Sequence, residues 1–201
     1  TCIKFDADFP NPWKEDEYDR SVGRREHEAI VVAMEKAREA VGPYVDLALD
    51  LHGSYNLPDA LRLCQDLEHL NLLWLEDPVR WESGNVDALA KVCAKSHIPI
   101  CTGEILYGAA RHRELIVKQA CDILEPDIPL SGGPIEIRRI AEMAEIYHMS
   151  IAPHNMASAI TAARSTSSGE SSDRDRLAAS WVLAPAMREM LEGLVTRHTP
   201  G

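Results

Sequence analysis

The stretch Asn71-Leu-Leu-Trp-Leu-Glu-Asp-Pro-Val79 decides the fold. Four apolar residues run into an acid, Glu76, and Pro78 ends the run. An uninterrupted apolar strand is what a parallel sheet covered on both faces requires. An acid at its carboxyl end sits where α/β proteins place their chemistry. Asp77 beside it could simply cap the next helix, but the device recurs. Val45-Asp-Leu-Ala-Leu-Asp-Leu-His52 precedes it. Ile98-Pro-Ile-Cys-Thr-Gly-Glu104, Asp122-Ile-Leu-Glu-Pro-Asp127 and Met149-Ser-Ile-Ala-Pro-His154 follow. The terminal acids and histidine are spaced by about 23 to 28 residues, the length of one strand-helix unit.

Helical periodicity fills the intervals. Arg24 to Val41 carries Ala29, Val32, Ala33, Ala37 and Val41 on one face, and Gly42-Pro43 stops it. Pro58 to His69, Asn85 to Lys95, Arg111 to Gln119 and Pro134 to Tyr147 complete the set. A first strand, Thr1 to Phe5, opens the chain, and a long polar loop from Ala7 to Gly23 carries Phe9, Trp13 and Tyr18. A loop of that length suits a lid or binding role. Strands alternating with helices imply a parallel sheet with right-handed crossovers. The fold expected is α/β, a partial TIM (β/α)₈ barrel of about six strand-helix units over residues 1–162. A closed barrel takes about 250 residues. Residues 163–201 break the rhythm and read as a Ser-rich linker followed by a helix, Leu177 to Leu194.

Composition narrows the function. A formal charge of −11 argues against nucleic-acid or anionic-membrane partners, which want basic patches. An anionic substrate stays open, because a bound divalent cation reverses the local field. The five cysteines form no CxxC pair, as expected of reduced thiols in a cytoplasmic protein. No apolar run approaches the roughly 20 residues of a membrane span.

Residues at the carboxyl ends of neighbouring barrel strands converge on one mouth. Asp50, Glu76 and Glu104 end three consecutive strands. Three converging carboxylates would repel one another unless a cation held them, and oxygen ligands of that kind favour Mg²⁺ over zinc. Asp127 and His154 end the next two strands, where a carboxylate beside an imidazole fixes its tautomer and suits it to act as a base. His52 lies two residues beyond Asp50, on the same side of the chain, so two histidines would divide the work of base and acid. His27, His69, His97, His112 and His148 read as structural.

Together, Leu49-Asp-Leu-His-Gly53, Trp74-Leu-Glu-Asp-Pro78, Cys101-Thr-Gly-Glu104, Glu125-Pro-Asp127 with Gly132-Gly133, and Ala152-Pro-His-Asn155 resemble the enolase superfamily. Within it they resemble the mandelate racemase/muconate lactonizing branch and its galactonate-dehydratase-like acid-sugar dehydratases. The resemblance runs from Thr1 to about Ala159 and equates the strands with the second to seventh of the barrel. It implies Mg²⁺ on Asp50, Glu76 and Glu104, His154 with Asp127 as the base, and His52 as the acid. It further implies a sugar-acid substrate, an aldonate such as galactonate or gluconate, converted to a 2-keto-3-deoxy acid, and a homo-oligomeric parent. Racemases of that branch carry Lys-x-Lys where this chain has Lys4-Phe-Asp6. That departure favours dehydration over two-base racemisation. An epimerase or cycloisomerase on the same enediolate is the rival within the class. A non-catalytic metabolite-binding barrel or an inactive fragment is the rival outside it. The family's N-terminal capping domain and its first and eighth strands have no counterpart in the matched residues. The expectation is therefore that the 201 residues alone are poorly soluble and inactive.

Overall fold

A computed structural model describes residues 2–7, 21–80 and 86–154. Six strands form one sheet in the order β1-β2-β3-β4-β5-β6, every neighbouring pair parallel. They are β1 (Cys2–Asp6), β2 (Asp46–Asp50), β3 (Trp74–Glu76), β4 (Ile100–Thr102), β5 (Ile123–Leu124) and β6 (Ser150–Ile151). Between them run α1 (Arg24–Val41), α2 (Leu57–Leu67) with a 3₁₀ turn at Glu68–Leu70, α3 (Val86–Cys93), α4 (Gly108–Val117) and α5 (Pro134–Ile146). The architecture is the partial barrel that the strand-helix rhythm predicts. The Ala7–Gly23 loop aromatics and the 163–201 tail with its Leu177–Leu194 helix lie outside the described residues.

Alternation along each strand sorts the core into two. Leu47, Leu49, Leu75, Ile100 and Leu124 join a large cluster with the buried faces of the helices, among them Ile30, Leu63, Leu89, Leu115 and Ile140. The opposite face carries a small cluster of Ala48, Trp74, Cys101, Ile123 and Ala152, with Cys2 and Leu73 against it. Because side chains alternate with period two, the residues two further on from this small cluster point the same way. Asp50 follows Ala48, Glu76 follows Trp74, Glu125 follows Ile123 and His154 follows Ala152. The fully buried Trp74 fills the interior among small neighbours, as layered barrel cores require.

Two devices fix the helices to this sheet. Asn56 caps α2, its side chain accepting from the Asp59 N–H at 2.9 Å, and Pro58 occupies the first turn. Arg38 staples α1 to the chain around it: its guanidinium donates to the carbonyls of Leu70, Gly42, Val45 and Asn71. Gly42 (φ 76°) ends α1 with its N–H on the Arg38 carbonyl.

The ordered strands are shorter than the apolar runs. Helix α4 starts at Gly108, three residues ahead of the expected Arg111, and α2 closes through a 3₁₀ turn. Pro99 and Pro126 flank β4 and β5 and supply no ladder N–H, which confines those strands to three and two residues.

Candidate active site

The site grows from the last residues of β2, β3 and β5 and from the turns beyond them. In the β2–β3 ladder Asp50 stands opposite Glu76. Both are buried, at 1% and 0% exposure. The ammonium of Lys4, from β1, lies between them, donating to Asp50 Oδ2 at 2.9 Å and to Glu76 Oε1. Glu76 Oε2 accepts from Trp74 Nε1 at 2.9 Å. The pair of acids therefore holds one positive charge, and the protonation states reflect it. Burial pushes Glu76 up to about 7, with the Asp50 charge adding to the rise and Lys4 opposing it. Burial acts on Asp50 in the same sense, but hydrogen bonds and the Lys4 charge outweigh it and hold Asp50 below its ordinary value. For Lys4 burial is likewise outweighed, by the charges of Glu76, Glu125 and Asp50, and its pKa rises.

Both histidines assigned to catalysis reach carboxylates. His154 Nδ1 lies 3.2 Å from Asp127 Oδ2 and its Nε2 lies 2.9 Å from Glu104 Oε2. The His154 and Glu104 side chains are each 12% exposed. Burial would lower the pKa of His154; the hydrogen bond and charge of Glu104, then Asp127, reverse that and raise it. His52 Nε2 lies 3.3 Å from Asp50 Oδ2, and the His52 N–H donates to Asp50 Oδ1 at 3.0 Å. The His52 side chain is 35% exposed, open to an incoming ligand. His52 (φ 45°) and Asp77 (φ 40°) both adopt the left-handed conformation, uncommon for residues with side chains and concentrated at functional sites.

Asp50 and Glu76 thus meet at Lys4, Asp127 meets His154, and His52 meets Asp50. Glu104 is paired with His154, not drawn in beside Asp50 and Glu76. Among the described residues, two groups of three ligand atoms lie within 4.8 Å of one another: Asp6, Asp50 and His52, and Glu76, Cys101 and Glu125. Glu104 belongs to neither, yet its charge reaches the same region. Burial, then the charges of Glu104, Glu76 and Asp50, push Asp77 well above its ordinary value despite the hydrogen bond from the Thr102 hydroxyl. Asp77 is therefore a buried acid bonded by the Thr102 hydroxyl.

These residues fit a divalent cation. A buried carboxylate pair already sharing one positive charge is a hard-oxygen donor set. Glu76 is destabilised as an anion by its neighbour, which a cation would relieve. Asp50 and Glu76 could hold it, and Glu104 could join them only by leaving His154.

Three contributors escape a reading of strand ends. Lys4 lies within a strand, not at its end. Glu125 is fully buried two residues before Asp127, and the shared parity of Glu125 and Asp127 was the available signal. His112 is buried with its ring between the carbonyls of Gly108 (2.9 Å) and Gly103 (3.2 Å), so it anchors the turn that presents Glu104.

Fold and site together define a parallel barrel segment with a carboxylate-histidine mouth, suited to proton transfer beside a cation-bound anion. The Enolase C-terminal domain-like family matches residues 10–196, and the chain belongs to that family. It is 39% identical over 159 residues to a D-xylonate dehydratase from Haloferax volcanii, covering 79% of this chain and 38% of that protein. It is 35% identical over 127 residues to a D-galactonate dehydratase from Verminephrobacter eiseniae, covering 63% and 33%. A mandelate racemase/muconate lactonizing enzyme-like protein from Rubrobacter xylanophilus superposes with a TM-score of 0.79 at 39% identity, over 83% of this chain and 42% of that one. An L-talarate dehydratase from Polaromonas, crystallised with Mg and L-glucarate, gives 0.63 at 32% identity, over 67% and 37%. The chain thus spans between a third and two fifths of the length of the curated relatives it matches. Acid-sugar dehydratases are its named relatives, in keeping with the resemblance carried by the five motifs. Among the described residues, no helix is long and apolar enough to cross a membrane.

Proposed function

We propose that the chain carries the catalytic machinery of a Mg²⁺-dependent sugar-acid dehydratase, converting an aldonate to a 2-keto-3-deoxy acid. The observation that carries this reading is His154, held at Nδ1 by Asp127 and facing the acid cluster through Nε2. Asp127 fixes the tautomer, which leaves Nε2 as the nitrogen able to take the proton beside the substrate carboxylate. Glu104 stands on that nitrogen. While it does, it favours the imidazolium, which cannot act as a base. Were Glu104 to hold a cation with Asp50 and Glu76, Nε2 of His154 would be left free to act as the base.

Bound by Asp50, Glu76 and Glu104, Mg²⁺ would supply the positive charge that receives the substrate carboxylate and offsets the charge developing on it. His52, half-exposed beside Asp50, then protonates the departing 3-hydroxyl. Asp6 occupies the position of the second lysine in racemases, so no second base of that type stands on β1. The named dehydratases of xylonate, galactonate and talarate support aldonates and related sugar acids as the substrate class.

The test is incubation of the full-length parent protein with Mg²⁺ in D₂O against a panel including D-xylonate, D-galactonate and D-gluconate. Exchange of the substrate α-hydrogen and appearance of a 2-keto-3-deoxy acid are expected. Exchange with epimer but no keto acid would assign the chain to an epimerase instead. A folded protein giving neither would overturn the reading.

A further inference from the structure

The interior of the sheet holds an acid and a thiol that the proposed chemistry does not use. Glu125 and Cys101 are both fully buried, and with Glu76 they bring three ligand atoms within 4.8 Å of one another. The register accounts for the grouping. Glu76 stands opposite Cys101 in the β3–β4 ladder, and the Glu125 N–H donates to the carbonyl of Thr102, next to Cys101. Glu125 Oε2 lies 3.5 Å from Cys101 Sγ. Among the described residues the other oxygen, Oε1, is buried with no hydrogen-bond partner, and burial with the Glu76 charge holds this acid well above its ordinary pKa. An orphaned carboxyl oxygen at a fully buried position is rare in native proteins and calls for a partner.

We propose that Glu76, Cys101 and Glu125 form a second cation site, for a thiophilic divalent ion such as zinc, distinct from the Asp50–Glu76–Glu104 set and joined to it through Glu76. The spacing suits this. A thiolate sulfur at about 2.3 Å and a carboxylate oxygen at about 2.1 Å from one tetrahedral ion lie roughly 3.6 Å apart, close to the observed Cys101–Glu125 separation. The donor set selects the ion, because a thiolate favours zinc or cadmium while Mg²⁺ demands oxygen ligands. Trp74 Nε1 orients Glu76 by donating to its Oε2, the kind of outer contact that steadies metal ligands. On binding, the Cys101 thiol proton leaves to solvent and sulfur takes the cation in its place. Glu125, with an oxygen already unsatisfied, contributes the second negative group. A soft ion seated there draws Glu76 away from the Mg²⁺ position, so the site gives thiophilic metals a route to inhibition.

The test titrates CdCl₂ into the reduced, full 201-residue chain under anaerobic conditions, in a Cys2→Ser/Cys93→Ser background that removes the two partly exposed thiols. The readout is the ultraviolet charge-transfer band of a cadmium-thiolate bond, with zinc as competitor. One equivalent of band is expected. Cys101→Ser should abolish it, Glu125→Gln should weaken binding about tenfold or more, and Cys121→Ser should leave it unchanged. A band that survives Cys101→Ser, or an affinity indifferent to Glu125→Gln, would overturn the proposal. Should Cys101→Ser fail to fold by circular dichroism, the isosteric Glu125→Gln decides alone. Asp50→Asn separates this inference from the dehydratase reading: it should keep the cadmium band while losing Mg²⁺-dependent exchange. Cadmium binding in a full-length parent inert toward every sugar acid would sink that reading alone.

Discussion

Lys4 shows how much one residue does in a crowded site. Its ammonium is the positive charge shared by Asp50 and Glu76, two acids that are otherwise buried side by side. Removing one partner of a buried ion cluster leaves the others uncompensated, at a cost of about 3 kcal/mol or more. Lys4→Met keeps the aliphatic stem and removes only the charge. It should lower the metal-free melting temperature markedly, and Mg²⁺ should restore most of the loss; a variant as stable as the parent without metal would refute the account. The histidines make a second residue-scale prediction. In the full-length parent, His52→Asn should stop dehydration but keep α-hydrogen exchange, while His154→Asn should lose both by about 10²- to 10⁴-fold. Loss of exchange in the His52 variant would mean that the two share one role. Asp50, Glu76, Asp127, His52 and His154 were legible because each ends an apolar run, and chain spacing predicts where strands end. Lys4 and Glu125 were less so. They lie within or before those ends, and only the inward parity of their strands betrays them.

At the scale of elements, limits were legible to within one to three residues, and best where the signal is local. Helix α1 falls where its apolar face and Gly42 place it, because capping and periodicity are local. Strands β5 and β6 are only two residues long, since prolines and neighbouring ladders set their limits and neither is local. The same distinction separates the acids of the site. Asp50 and Glu76 are brought together by ladder register, whereas Glu104 rides on a turn beyond β4 and so can serve His154 instead. That turn depends on α4. His112, from α4, holds the Gly103 carbonyl, and any side chain at Gly103 (φ 126°) would be strained by its backbone conformation. His112→Leu should therefore weaken Mg²⁺ binding by about tenfold, measured calorimetrically, without altering helix content. The magnitude is that of lost outer-shell contacts to metal ligands. Unchanged affinity would show that the turn holds itself. A purely structural control is Asn56→Ala, which should cost about 1 kcal/mol through the α2 cap and leave Mg²⁺ affinity alone.

For the molecule as a whole, the raised pKa values set how stability and metal binding depend on pH. Glu76 has a folded pKa of about 7 against an ordinary value of 4.5, so the folded state holds its proton longer than the unfolded chain does. Its contribution is full at low pH and is lost as pH rises from about 4.5 through about 7. His154 acts in the same sense. Its pKa is raised by Glu104 and Asp127, so its contribution is full below the ordinary 6.5 and lost above it. Asp50 has the opposite sign, but its folded pKa lies below 3.8, outside this window. The metal-free protein should therefore lose stability as pH climbs through neutrality. Mg²⁺ needs Glu76 ionised, so its affinity should rise over the same interval, by at most about tenfold per pH unit for the one proton released. The stabilisation it confers grows with affinity. The two effects have opposite signs, and the gap between melting temperatures with and without MgCl₂ should widen from about pH 5.5 to about pH 7.5, then level off. Glu76→Gln should flatten the metal-free curve over that range and remove most of the Mg²⁺ effect. A Mg²⁺ shift that is largest at acid pH, or a Glu76→Gln variant that keeps the parent's pH profile, would mean that Glu76 is not the acid linking the fold to its cation.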